Sequence, residues 1–266
     1  MSDFELVLFS VDPELVRRAV SAGVDSLIVD WEHLDKEARQ RGADTEINRH
    51  TAHDLRRVRA ATDAHVLCRV NALGPGSANE IETAIAAGAD EVLLPMVRTP
   101  AQVEEALALA ARRCRVGILL ETAAALENAG ELAQLPLSRV YVGLNDLAIE
   151  RRSPSIFEPL VDGTLERLRP LFRVPFGFGG LTLPDRGAPV PCRLLLGEMA
   201  RLECSFSFLR RSFHRDIRDR NLRVEVQRLR RAIATSAARS EEAVARDRAE
   251  LERLVGGWEG RLAGAV

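Results

Sequence analysis

Several charged and polar residues stand where apolar runs end, and their types suit carbonyl chemistry. Glu121 closes the run Val116-Gly117-Ile118-Leu119-Leu120, and Asp146 follows Val140-Tyr141-Val142-Gly143-Leu144-Asn145. A carboxylate in such a place is costly without a cation or strong donors. Taken singly, each reads as a cap for the helix that follows, since acidic residues are favoured at helix starts. Taken as a pair on neighbouring strands, they read as a hard-oxygen site for Mg²⁺ or Mn²⁺, with Co²⁺ also compatible; the open positions go to water and substrate. Arg69 ends a third run. Its planar fork can hold a carboxylate or a developing enolate oxygen, or can pair with Asp30 or Glu32, and the two roles can coexist. Asp30-Trp31-Glu32-His33 closes a fourth run. With a period of two, Asp30 and Glu32 share one face, as do Arg69 and Asn71. His33 is the residue type for proton transfer near neutral pH, although a lone histidine after a strand is also a common structural residue. Lys36 is the only lysine in the chain. Any Schiff-base chemistry must use it or be absent.

These residues need elements to bring them together. Short apolar, β-branched runs occur at 5–11, 26–32, 65–71, 91–97, 115–121, 139–146, 175–182 and 204–210. Helical patterns fall near 13–22, 51–62, 78–87, 100–112, 122–134, 156–172 and 192–201. Strands buried on both faces and joined by amphipathic helices predict an α/β fold, a (β/α)8 TIM barrel with a long C-terminal helical extension. Such a barrel gathers the C-terminal ends of its strands at one mouth, where barrel enzymes keep their chemistry. Two stretches, Ala22-Gly23-Val24-Asp25-Ser26-Leu27-Ile28-Val29 and Ala87-Gly88-Ala89-Asp90-Glu91-Val92-Leu93-Leu94, repeat one pattern. In each, a helix ends at a glycine able to turn left-handed, and a buried strand follows.

Residues 34–50 form a long polar loop, and 177–191 are rich in glycine and proline. Long loops of this kind are often functional. Residues 219–255 read as one highly charged helix with an apolar stripe through Leu222, Val226, Leu229, Ile233, Leu251 and Leu254. The domain reading is therefore a barrel over 1–218 and a helical extension over 219–266 that packs on a neighbouring subunit. Composition excludes other classes. The 37 basic and 39 acidic residues leave a net charge of -2, which gives no general reason to bind nucleic acid or an anionic membrane. Cys68, Cys114, Cys192 and Cys204 form no C-x-x-C pair, so the expected setting is a reducing cytoplasm without disulfides or a zinc knuckle. His50, His53, His65 and His214 show no metal-ligand spacing, and Cys68 suits core packing.

The set Asp30-Trp31-Glu32-His33, Arg69-x-Asn71, Leu94-Pro95-Met96-Val97, Leu120-Glu121-Thr122 and Gly143-Leu144-Asn145-Asp146-Leu147 resembles the HpcH/HpaI aldolase and citrate lyase β-subunit family, of the phosphoenolpyruvate/pyruvate-binding TIM-barrel superfamily. The resemblance runs over residues 5–150 and fades afterwards. It implies that Glu121 and Asp146 are the metal carboxylates and that Arg69 contacts the substrate oxygens at the reacting centre. It implies proton transfer by His33, with Asp30 as a further catalytic residue. Asn71, Glu32 and Asn145 join Arg69 in the substrate-binding set. The implied activity is that of a divalent-metal-dependent carbon–carbon lyase of the class II aldolase type, working through a pyruvate-like enolate of a 2-oxo acid. The implied partners are a 2-oxo acid or its aldol, and a homo-oligomer, trimer or hexamer, built through the C-terminal helix. The alternatives are an acyl-CoA lyase or thioesterase of the citrate lyase type, and a non-catalytic barrel serving as a scaffold. The chain departs from the family where Met96 replaces a lysine often found after the strand-four proline. It also lacks the arginine-bearing first strand and the I-H-P stretch of the β-subunit branch, which weakens an acyl-CoA substrate. The ending Phe206-Ser207-Phe208-Leu209-Arg210-Arg211-Ser212-Phe213 fits no named subgroup.

Overall fold

The computed structural model describes residues 4–34, 36 and 48–263, with side chains described to residue 257. Most of the long polar loop, including Arg39, Gln40 and Arg41, lies outside the described residues. The strands are β1 (Glu5–Phe9), β2 (Ser26–Asp30), β3 (His65–Arg69), β4 (Glu91–Leu94), β5 (Arg115–Leu120), β6 (Val140–Val142), β7 (Phe176–Phe178), β8 (Gly180–Leu181) and β9 (Phe206–Leu209). All pair in parallel in the order β7-β6-β5-β4-β3-β2-β1-β9-β8. The seventh apolar run is thus two short strands, broken at Gly179, whose φ of 59° lies in the left-handed region. Its first half pairs with β6 and its second with β9, and Ser205 N–H donates to Phe176 O at 3.0 Å. The ring of nine strands is therefore nearly closed, a TIM-like barrel.

Alternation along the strands fills the barrel in layers. At the N-terminal end, Arg139 bonds Glu91 at 2.9 Å and Glu5 at 2.9 Å, and His65 reaches Glu91 at 2.9 Å. Above them, Val7, Ile28, Leu67, Leu93, Leu119, Tyr141, Phe206 and Phe208 form a separate interior cluster. Tyr141 and Phe208 stack with ring centroids 3.9 Å apart. Burying each aromatic contributes about 2–3 kcal/mol, and the stacking adds about 1 kcal/mol. These side chains fill the barrel interior below the mouth.

The helices are α1 (Pro13–Ala22), α2 (Ala52–Ala61), α3 (Ser77–Ala86), α4 (Pro100–Ala110), α5 (Ala123–Glu127), α6 (Ala129–Leu132), α7 (Leu144–Arg151), α8 (Thr164–Leu168), α9 (Cys192–Arg201), α10 (Arg211–Asp216), α11 (Leu222–Ala237) and α12 (Glu241–Ala263). Side-chain caps start several of them. Asp12 accepts from Glu14 N–H, and Thr51 and Thr99 form capping boxes with Asp54 and Gln102. Such caps are worth about 1 kcal/mol each. The repeated glycines behave alike, with φ of 106° at Gly23 and 98° at Gly88.

Four expectations need correction. The pattern at 122–134 is two short helices, α5 and α6, and the pattern at 156–172 is α8 flanked by single 3-10 turns. Strand six ends at Val142, and Leu144 already begins α7, so Asn145 and Asp146 lie in a helix's first turn. The long charged pattern is two helices, α11 and α12. The turn between them is held by Arg239, which donates to Gly197 O at 2.8 Å and pairs with Asp247. Helix α11 lies between α1 and α9 as the barrel's own outer helix, and α12 folds back onto α9. Leu222, Val226, Leu229, Leu251 and Val255 are buried within the single chain. Of the expected stripe, Leu222, Val226, Leu229 and Leu251 are thus covered by the chain itself, while Ile233 and Leu254 are half-buried.

Candidate active site

The charged layer at the mouth is held by β2, β3 and β5 and by the start of α7. Asp30 ends β2 and is fully buried, 0% exposed. Register places it opposite Arg69 on β3. Arg69 donates through Nε to Asp30 Oδ1 at 2.8 Å and through its second terminal nitrogen to Oδ2 at 2.7 Å. The remaining terminal nitrogen lies 3.3 Å from Glu32. Lys36 is buried in the same group, 3.2 Å from Glu32 and 3.6 Å from Asp30, and Asn48 donates to Asp30 Oδ2 at 2.9 Å. Burial alone would raise the Asp30 pKa. The Arg69 charge and hydrogen bonds, with Lys36 and Asn48, hold it well below the usual carboxylate range. Of the two readings of Arg69, the ion pair is present: two of its five N–H groups are spent on Asp30, and its remaining terminal nitrogen lies against Glu32.

Glu121 follows β5 and is 2% exposed. Its Oε1 accepts from Met96 N–H at 2.8 Å. Met96 holds φ at 54°, an unusual state for a non-glycine, and this aims its amide at the carboxylate. Beside it, Gly143 leaves space that a side chain would fill, because an added Cβ would collide with Glu121 Oε2. Thr122, not Glu121, caps the next helix: its hydroxyl accepts from Ala125 N–H at 3.0 Å and donates to Val97 O at 2.6 Å. Asp146, 8% exposed, sits in the first turn of α7, where the helix dipole favours an anion. Burial, then the charges of Asp146 and Glu32, push the Glu121 carboxyl up to about 8, against the Met96 amide and Arg69. Glu121 thus faces two like charges and one cation that is already paired.

That imbalance is the test of whether a divalent cation suits the site. A hard cation between Glu121 and Asp146 would offset the repulsion that now raises Glu121. Among the described residues, no three His, Cys, Asp or Glu side chains converge as a metal group. A cation held here would draw on Glu121 and Asp146 and would take its remaining positions from water and a chelating ligand, as Mg²⁺ does.

Other expected residues go elsewhere. Asn71 is buried, but its side-chain oxygen accepts from His33 N–H at 3.0 Å and Leu34 N–H at 2.9 Å, while its amide donates to Glu80 at 2.6 Å. It ties the loop after β2 to α3. His33 is exposed, and its Nδ1 lies 2.7 Å from Trp31 O. Donation from Nδ1 leaves Nε2 as the acceptor, the form a base requires. Asn145 is half-buried beside Asp146. The sequence reading missed the Met96 amide and the pairing of Lys36 within the cluster. The uniqueness of Lys36 was a signal; its partners, Asp30 and Glu32, precede it on the same stretch of chain.

A parallel barrel whose mouth is lined by carboxylates and an arginine is the class that fold and site define. The family model for HpcH/HpaI aldolase/citrate lyase matches residues 5–155, and the chain belongs to that family. Membership supports a lyase-type function. The crystal structure of HpcH/HpaI aldolase from Desulfitobacterium hafniense DCB-2 is similar, with a TM-score of 0.59 and 15% identity over 78% of this chain and 86% of that one. At that identity the likeness shows the fold. Among curated proteins, none matches the chain. No helix among the described residues is long and apolar enough to cross a membrane.

Proposed function

We propose that the protein is a divalent-metal-dependent carbon–carbon lyase that makes or cleaves a bond next to the keto group of a 2-oxo acid. The observation that carries this reading is the buried Glu121, set against Asp146 and within electrostatic reach of Arg69 in a barrel of this family. Glu121 and Asp146 would hold Mg²⁺ or Mn²⁺, which when bound polarises the keto oxygen and orients the substrate. Arg69 turns its uncommitted N–H groups toward the negative charge that develops as the bond breaks. A preorganised donor of this kind is worth about 3 kcal/mol in a dry site. Asp30 and Glu32 keep that guanidinium in one orientation, and Lys36 offsets the second of their charges. His33, exposed and with Nδ1 held at Trp31 O, moves the proton at the oxygen of the departing or arriving aldehyde. Lys36 is engaged by two carboxylates, Glu32 at 3.2 Å and Asp30 at 3.6 Å, and so is not presented as a free nucleophile for Schiff-base chemistry.

Calorimetric titration of Mn²⁺ tests the metal assignment. Glu121→Gln and Asp146→Asn are each expected to weaken binding by at least about a hundredfold while far-UV circular dichroism stays unchanged. Parent-like affinity in either variant would refute the assignment.

A further inference from the structure

Arg210 follows β9, in the segment that fits no named subgroup. Phe206 and Phe208 point into the barrel interior, and Leu209 points into the outer core. Alternation therefore returns Arg210 to the inner face, at the mouth. Gly180 of β8 pairs with Phe208, and a Cβ built on Gly180 would lie 2.8 Å from the Cβ of Arg210. The absence of a side chain at Gly180 is what allows Arg210 to lie there. The buried Tyr141 hydroxyl is within electrostatic reach of both Arg69 and Arg210, so the two arginines share one end of the barrel.

They differ in what holds them. Arg69 is tied to Asp30 and Glu32. Arg210 makes no ion pair among the described residues, and its Nε is sealed from solvent without a hydrogen-bond partner. The Oγ of Ser212, two residues along, is in the same condition. Asp216 is the acid that could have answered Arg210, but its oxygens go to Thr182 at 2.6 Å and Arg215 at 3.3 Å. Buried donors are normally satisfied, so two neighbouring orphans at a ligand-binding mouth ask for an acceptor from outside.

We propose that Arg210 and Ser212 form a second anion subsite, which receives a carboxylate or phosphate carried by the substrate away from its 2-oxo acid end. The inference rests on the reading of the mouth as a 2-oxo acid site, with Arg69 serving the near end. Arg210 is then a specificity-determining residue that selects doubly anionic substrates.

The test compares binding of pyruvate, oxaloacetate, 2-oxoglutarate, 2-oxoadipate and inorganic phosphate to the Mn²⁺-loaded full chain and to Arg210→Met. At least one diacid is expected to bind the parent about tenfold more tightly than pyruvate, as one charge-assisted contact provides. Arg210→Met should erase that advantage and leave pyruvate affinity unchanged, and Arg210→Lys should keep part of it. The melting temperature of Arg210→Met should stay level or rise, because a buried donor without a partner is removed. Phosphate that competes with the diacid and needs Arg210 identifies a general oxyanion subsite; phosphate that does not compete restricts the subsite to carboxylates. If pyruvate fails to bind while the diacids still bind through Arg210, the 2-oxo acid reading falls and the subsite stands. A diacid preference that survives in Arg210→Met, no preference in the parent, or a variant that unfolds would overturn the proposal.

Discussion

At Glu121 a proton and a cation compete for one carboxylate. Its folded pKa of about 8 stands above the ordinary 4.5. With the folded chain binding more protons than the unfolded one between those values, this group makes the metal-free protein less stable as pH rises from about 4.5 to 8. Above that window the loss is complete, and below it there is none. Metal affinity should move the opposite way, strengthening up to about tenfold per pH unit until Glu121 is ionised. Thermal unfolding with and without Mn²⁺ at pH 6 and pH 8 checks both signs. In Glu121→Gln the pH dependence of the metal-free protein should flatten. The nature of these residues was legible in the sequence, since a lone carboxylate or arginine at the end of an apolar run needs a reason. Their partners were not. Lys36 meets Glu32 as an i,i+4 pair in the segment after β2, and Met96 reaches Glu121 through its backbone, which no side-chain motif reveals.

Among the elements, the junction between β6 and α7 does most to shape the site. Gly143 gives Glu121 its room, so Gly143→Ala should displace the carboxylate and weaken Mn²⁺ binding by about tenfold or more, with far-UV circular dichroism unchanged. Parent-like binding would show that the carboxylate has another place to go. The eight strand positions were readable from apolar runs, because strands buried on both faces leave that mark. Their ends were less so. Val140-Tyr141-Val142-Gly143-Leu144 looks like one run, yet the helix begins at Leu144, and periodicity over so few residues cannot separate the two states. Helices α11 and α12 make a second prediction. Truncation after residue 218 uncovers Val16 and Ala19 on α1 and removes Leu222, Val226 and Leu229, all buried, and should leave a chain that aggregates. Truncation after residue 240 removes Leu251 and the Arg248–Glu198 pair at 2.9 Å, and should leave a folded barrel with a lower melting temperature. Light scattering on the second truncation reads the oligomer directly, and unchanged mass would separate α12 from any assembly.

Over the whole molecule, barrel closure concentrates the separately encoded residues on one face. Tyr141, Phe206 and Phe208 fill the interior below, and the mouth collects opposed charges that stay buried only in a fixed arrangement. The central claim is that this arrangement, loaded with metal, acidifies the carbon next to a keto group. Proton NMR of pyruvate in deuterated water tests it without the natural acceptor. The methyl signal should fade in the presence of protein and Mg²⁺, and chelator should stop the loss. Glu121→Gln should abolish it, and borohydride should trap no adduct on Lys36. The exchange should be slow, because the acceptor's binding energy is missing. Bound pyruvate that exchanges no faster than with Mg²⁺ alone would contradict the account, as would exchange that survives chelation and is lost on borohydride treatment.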